Sequence, residues 1–215
     1  MYCDVNFSPF GPPHRAIPPS AGAGGAPPCG SVAAVRIVGG SLSGRVLRAP
    51  GGAATRPTSE KVREAVFNIL GSVEGDRVLD LFAGSGALGI EALSRGAIHA
   101  TFIDAAKPAL AAIRGNLREL GLEDRATVVP SDAVAGAARH QPNAPWRLVF
   151  VDPPYRSDLA TRAVLALPGE SLAPDAVVVI EHDRHNAPPD ALGSLLRTDQ
   201  RRYGDTLISF FGVPA

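Results

Sequence analysis

The sequence predicts an α/β fold with a doubly wound, mostly parallel sheet, and two observations carry that reading. From about residue 77 onward, short apolar strand candidates alternate with helical segments, and parallel neighbours in a sheet need helical crossovers of this kind. One strand candidate also runs directly into a glycine turn and a helix, Val78-Leu79-Asp80-Leu81-Phe82-Ala83-Gly84-Ser85-Gly86-Ala87-Leu88-Gly89, the arrangement in which such sheets hold a ligand across strand ends. Composition agrees with a globular chain: of 215 residues, 45% are apolar and 20% charged, which disfavours both a fibrous and a disordered polypeptide.

The elements follow in order. Residues 1–34 are crowded with Gly, Pro and Ala, as in Gly22-Ala23-Gly24-Gly25-Ala26-Pro27-Pro28, and are expected to be a disordered, dispensable tail. They lack the basic start and unbroken apolar stretch of a signal peptide. Residues 35–71 form a small N-terminal unit. Arg36-Ile37-Val38-Gly39-Gly40 to Arg45-Val46-Leu47-Arg48 reads as a hairpin, and Thr55-Arg56-Pro57-Thr58-Ser59 leads into a helix whose apolar positions are Val62, Val66, Ile69 and Leu70 and whose stop is Gly71. Residues 72–215 are the main domain. Its predicted strands are 77–82, 100–104, 126–129, 148–151 and 176–181, with helices at 87–94, up to 120, 133–139, 158–166 and 189–196 between and after them. Two strands around Gly204-Asp205 close the chain.

Charge and cysteine usage exclude several classes. Lys+Arg and Asp+Glu are 21 each, so attraction to phosphate must come from a local patch. One exists: between Arg36 and Arg63 there are six basic residues (Arg36, Arg45, Arg48, Arg56, Lys61, Arg63) and one acidic, Glu60. No apolar run approaches the roughly 18 residues of a membrane span, so no membrane partner is expected. Both cysteines, Cys3 and Cys29, lie in the tail, which removes a disulfide framework and a thiolate metal cage from the body and fits a cytoplasmic compartment.

The glycine loop fits G-x-G-x-x-G, where Gly84 and Gly86 let backbone approach a ligand. Two ligands suit it, a dinucleotide and S-adenosylmethionine. Asp80 favours the second: a carboxylate repels a pyrophosphate but stabilises the cationic methionine end of the adenosyl cofactor. Asp104, ending the next strand, is placed to accept from ribose hydroxyls, and Asp132, after the third, from the adenine amino group. Candidate cofactor contacts are therefore Asp80, Phe82, Ala83, Gly84, Gly86, Asp104, Ala105, Asp132 and Ala133; the bland alternative for the acids is helix capping.

After the buried strand Leu148-Val149-Phe150-Val151 comes Asp152-Pro153-Pro154-Tyr155. An exocyclic amino group on a nucleobase is a poor nucleophile because its lone pair is delocalised, and it needs acceptors for its N–H bonds. Asp152 and the stiffly aimed carbonyl of Pro153 can supply two, Pro154 fixes the turn, and Tyr155 offers a face for a base removed from its stack. These four are the candidate catalytic residues.

With these residues in view, the chain resembles an amino-group methyltransferase. Arg36-Ile37-Val38-Gly39-Gly40, Gly44-Arg45, and Arg56-Pro57-Thr58 followed by Val62-Arg63-Glu64-Ala65-Val66-Phe67-Asn68-Ile69-Leu70 are similar to the RsmD family, which methylates N2 of a guanine in 16S ribosomal RNA. The resemblance spans about 36–213. It implies a Rossmann-like seven-stranded sheet with an antiparallel last strand, S-adenosylmethionine as cofactor, Arg56 and Thr58 near the cofactor and target base, and ribosomal RNA as partner, within a small-subunit particle and for a monomeric enzyme. Arg36, Arg45 and Arg48 are the candidate RNA contacts. Two departures are the long tail and Asp104, where relatives often carry Glu. Runner-up readings are a methyltransferase acting on DNA adenine N6 or protein glutamine, a nicotinamide dehydrogenase, and a non-catalytic RNA-binding module. His182 and His185 are set aside as a solvated loop, with no metal expected. Arg201-Arg202 is divided between RNA contact and solvent, and Trp146 and Phe150 are assigned to the core.

Overall fold

The structure, a computed structural model, describes residues 35–50, 60–139, 142–154 and 158–214. The expected tail, and Arg56, Thr58 and Tyr155 among the candidate site residues, lie outside the described residues.

In chain order the elements are β1 (Val35–Arg36), β2 (Val46–Leu47), α1 (Glu60–Leu70), β3 (Arg77–Leu81), α2 (Ala87–Ser94), β4 (His99–Asp104), α3 (Lys107–Leu120) and β5 (Ala126–Pro130). They continue with α4 (Ala133–Ala137), β6 (Trp146–Val151), α5 (Leu159–Leu165), β7 (Leu172–Asp183), β8 (Ala191–Leu192), β9 (Leu195–Tyr203) and β10 (Thr206–Gly212). β1 and β2 pair as a small antiparallel hairpin, Val35 opposite Leu47. The main sheet has the order β5-β4-β3-β6-β7-β10-β9-β8. Its first five strands run parallel, and β10 enters antiparallel between β7 and β9. The expected seven strands are present, and β8 adds two residues at the edge.

The parallel strands are near-continuous apolar runs because both faces are covered. Alternate residues face two separate cores. Val78, Phe102, Phe150, Val179 and Ile208 pack with α1, α2, α3 and the hairpin, while Leu79, Leu81, Ile103, Val151 and Ile180 pack with α4 and α5. Trp146 and Phe150 are fully buried, as expected. Among the described residues no helix is long and apolar enough to cross a membrane.

Three expectations are corrected. The helix predicted over 189–196 is the tight pair β8–β9, with Leu192 opposite Leu195. Leu192, Leu195 and Leu196 imitate helical spacing, but a left-handed Gly193 (φ 62°) reverses the chain between them. In α1, Ile69 is 41% exposed, and Phe67 and Arg63 take its place in the buried stripe with Val62 and Val66. His182 is no solvated-loop residue: it lies buried within β7, its Nε2 2.8 Å from the Ser209 hydroxyl.

Candidate active site

The strand order reverses at β3, which has β4 on one side and β6 on the other. Open α/β sheets bind ligands at such a switch point, outside the carboxyl ends of the strands. Asp80, the glycine loop, Asp104, Asp132 and Asp152 all sit at those ends, so the topology gathers residues spread over more than seventy positions.

The loop after β3 is held tightly. Phe82 adopts a left-handed conformation (φ 61°), which a non-glycine residue takes only where surrounding structure enforces it. Gly84 (φ 56°) and Gly86 (φ 78°) follow in the same region. Asp104 reaches across from β4: its Oδ2 accepts from the Gly84 N–H at 2.9 Å and its Oδ1 from the Ala106 N–H at 2.8 Å. The Ala83 N–H donates to the Ile103 carbonyl at 3.2 Å. Ala83 is buried and Ala105 exposed.

Asp80 lies under the loop, 2% exposed, with Oδ2 accepting from the Gly89 N–H at 3.0 Å. A Cβ at Gly89 would stand 2.4 Å from the Phe102 ring and 3.2 Å from that same Oδ2, so the third glycine of the pattern exists for close helix-to-strand packing. Burial pushes the Asp80 carboxyl up to about 8, the Gly89 N–H pulls it down, and the charge of Asp104 adds to the rise. Asp132 caps α4, Oδ1 accepting from the N–H groups of Val134 and Ala135, and Ala133 behind it is buried. Both capping bonds go to Oδ1, so capping does not use the Oδ2 lone pairs.

Asp152 follows β6 directly beside this loop, its N–H 3.5 Å from the Leu81 carbonyl. With Val66, Leu88, Phe150, Val151, Val179, Glu181 and Ile208 it lines a small cleft. Pro153 is partly buried and Pro154 exposed. The cleft has apolar walls and two carboxylates, Asp152 and Glu181.

The N-terminal segment is locked onto this region by polar residues that sequence reasoning missed. Glu91 of α2, fully buried, accepts from the N–H groups of Val38 and Gly39, both at 2.7 Å. It also pairs with Arg95 at 2.8 Å and with buried Arg63 of α1 at 3.4 Å. Arg63 donates to the Arg36 carbonyl. Asn116 of α3 accepts from the Arg48 N–H at 2.8 Å and donates to the carbonyls of Arg48 and Ser85, which ties the segment to the glycine loop. The sequence does carry a signal for them: each is a polar residue on the apolar stripe of its helix. Arg36, Arg45 and Arg48 are exposed. Arg48 forks onto Glu119 at 3.0 and 3.1 Å, and Arg45 donates to the Glu119 carbonyl. Arg63 leaves the basic patch for the core. Arg201 pairs with Asp199, and Arg202 donates to the Gly204 carbonyl.

Such a sheet, with a glycine loop and an Asp-Pro-Pro turn on neighbouring strand ends, is that of a Rossmann-like class I methyltransferase. The family model described as "Conserved hypothetical protein 95" matches residues 35–212, and the chain belongs to this family, the RsmD family of rRNA methyltransferases. It is 41% identical over 183 residues to "Putative rRNA methyltransferase YlbH" of Bacillus subtilis, covering 82% of this chain and 98% of that protein. It is likewise 41% identical over 157 residues to "Ribosomal RNA small subunit methyltransferase D" of Escherichia coli, covering 72% and 78%. Among solved structures, "Putative methyltransferase yhhF from Escherichia coli" superposes with a TM-score of 0.73 at 34% identity, covering 85% of this chain and 99% of the other.

Proposed function

We propose that the protein transfers a methyl group from S-adenosylmethionine to the exocyclic N2 of a guanine in small-subunit ribosomal RNA, working as a single cytoplasmic chain. The observation that carries this is the placement of Asp152-Pro153 beside the glycine loop, one strand apart at the switch point.

The donor set fits the cofactor. A buried carboxyl at Asp80 suits a cationic ligand, which draws it into its ionised form, whereas a pyrophosphate would hold it protonated and gain no charge pairing. This favours the adenosyl cofactor over a nicotinamide dinucleotide. Asp104 holds the loop through Gly84 and keeps lone pairs for ribose hydroxyls, Asp132 is open to an adenine amino group, and Arg56 and Thr58 are proposed to close the site. When bound, the cofactor supplies an activated methyl group, so the protein's task is to position and desolvate the partners, worth up to roughly 7–11 kcal/mol when alignment is good. Asp152 and the Pro153 carbonyl accept the two N2–H bonds and turn the nitrogen lone pair out of conjugation. Asp152 takes up the proton that the alkylated nitrogen sheds. Tyr155 stacks on the extruded base, and Arg36, Arg45 and Arg48 meet phosphates.

The test is nucleoside mass spectrometry of rRNA, naked and as small-subunit particles, after incubation with protein and S-adenosylmethionine. N2-methylguanosine is the expected product. N6-methyladenosine, or label in protein or DNA alone, would replace the reading by one of the other amino acceptors.

A further inference from the structure

The cleft at Asp152 contains a second carboxylate. Glu181 lies near the end of β7, and the register Val151↔Ile180 sets it one strand over from Asp152. On its other side it pairs with Ile208 of β10. Both acids line one cleft, and Glu181 is only 8% exposed. Val177 to Ile180 before it are all aliphatic, so Glu181 brings the first carboxylate of this strand end into the cleft. A carboxylate has lone pairs for several donors, and in apolar surroundings each hydrogen bond it accepts is worth more than in water.

Asp152 by itself cannot choose a base, because adenine and cytosine also carry an amino group. Guanine differs on its Watson–Crick edge, where an N1–H donor adjoins the N2 amino group, whereas adenine presents a lone pair at N1. A carboxylate facing N1 therefore accepts from guanine and repels adenine. Resting on the guanine-N2 reading above, we propose that Glu181 determines specificity in the base site, accepting the N1–H of the target guanine while Asp152 accepts from N2.

The experiment uses small-subunit rRNA, naked or in its particle, rebuilt by ligation to carry either guanine or 2-aminopurine at the methylated position. 2-Aminopurine keeps the 2-amino group but has an acceptor at N1. Wild-type protein is expected to favour guanine by at least about 100-fold in kcat/KM, because a site built to accept a hydrogen bond rejects an analogue that cannot donate it. In Glu181→Gln the amide can turn its NH2 toward N1, and the preference should narrow to within about tenfold, with S-adenosylmethionine affinity by calorimetry unchanged. Equal wild-type rates on the two RNAs overturn the proposal even if the variant does not fold, and so does a Glu181→Gln protein that keeps the full preference. Absence of N2-methylguanosine from every guanine substrate is a different result: it removes the proposed function, and the role of Glu181 with it.

Discussion

Asp80 holds its proton at neutral pH in the ligand-free protein, because burial raises its carboxyl to about 8. Such a group binds its proton more tightly folded than unfolded. The stability it contributes is therefore complete below the ordinary carboxylate range and is lost as pH rises through about 8. Melting temperatures of wild type minus Asp80→Asn should fall between pH 4 and 9, and a flat difference would refute the shift. A cationic ligand pulls the same carboxyl back down, so binding of S-adenosylmethionine at pH 7 should release a proton. Calorimetry in two buffers of different ionisation heat reads that release, and the buffer dependence should vanish in Asp80→Asn. At Asp152 an acceptor matters more than a strong base, because an amine can attack a sulfonium before losing its proton. Asp152→Asn should be slow but measurable and Asp152→Ala far slower, both with wild-type cofactor affinity; full activity in Asp152→Ala would mean the acceptor lies elsewhere.

The hairpin and α1 reach the sheet through Glu91 and Ser94 of α2. A Cβ at Gly40 would stand 2.0 Å from the Ser94 carbonyl oxygen, whereas one at Gly39 meets the movable Arg95 guanidinium. Gly40→Ala should thus cost on the order of 1–3 kcal/mol in unfolding free energy and Gly39→Ala clearly less, the reverse order being the disproof. Glu91→Gln breaks pairs with two arginines at a fully buried site. Losing one side of a buried pair typically costs about 3–5 kcal/mol, which in a domain of this size lowers the melting temperature by on the order of 10 °C. A drop of only a degree or two would show that Arg63 and Arg95 find other partners.

Across the whole molecule net charge is zero, and the basic face at Arg45 and Arg48 is partly answered by Glu119. Binding RNA there must exchange that carboxylate for phosphate. Arg45→Ala with Arg48→Ala should weaken RNA binding and flatten its log-log salt dependence by about one unit or slightly less for each phosphate that is no longer neutralised. Glu119→Ala should strengthen binding, since Arg48 is released from its carboxylate partner. Unchanged affinity and slope in both variants would leave the face merely solvated.

The sequence by itself determined the alternation of strands and helices, the glycine loop, the acids at strand ends and the Asp-Pro-Pro turn, because these rest on local rules: apolar runs, turn-forming residues and short spacings. Leu192, Leu195 and Leu196 deceived that reading, since a tight hairpin and a helix can share the same spacing. What only the tertiary structure decided is which distant polar groups meet. Glu91 with Arg63, Asn116 with Ser85, and Glu181 beside Asp152 are each separated by tens of residues, and a buried charge declares its partner only once the chain has brought the two together in a medium too apolar to leave either alone.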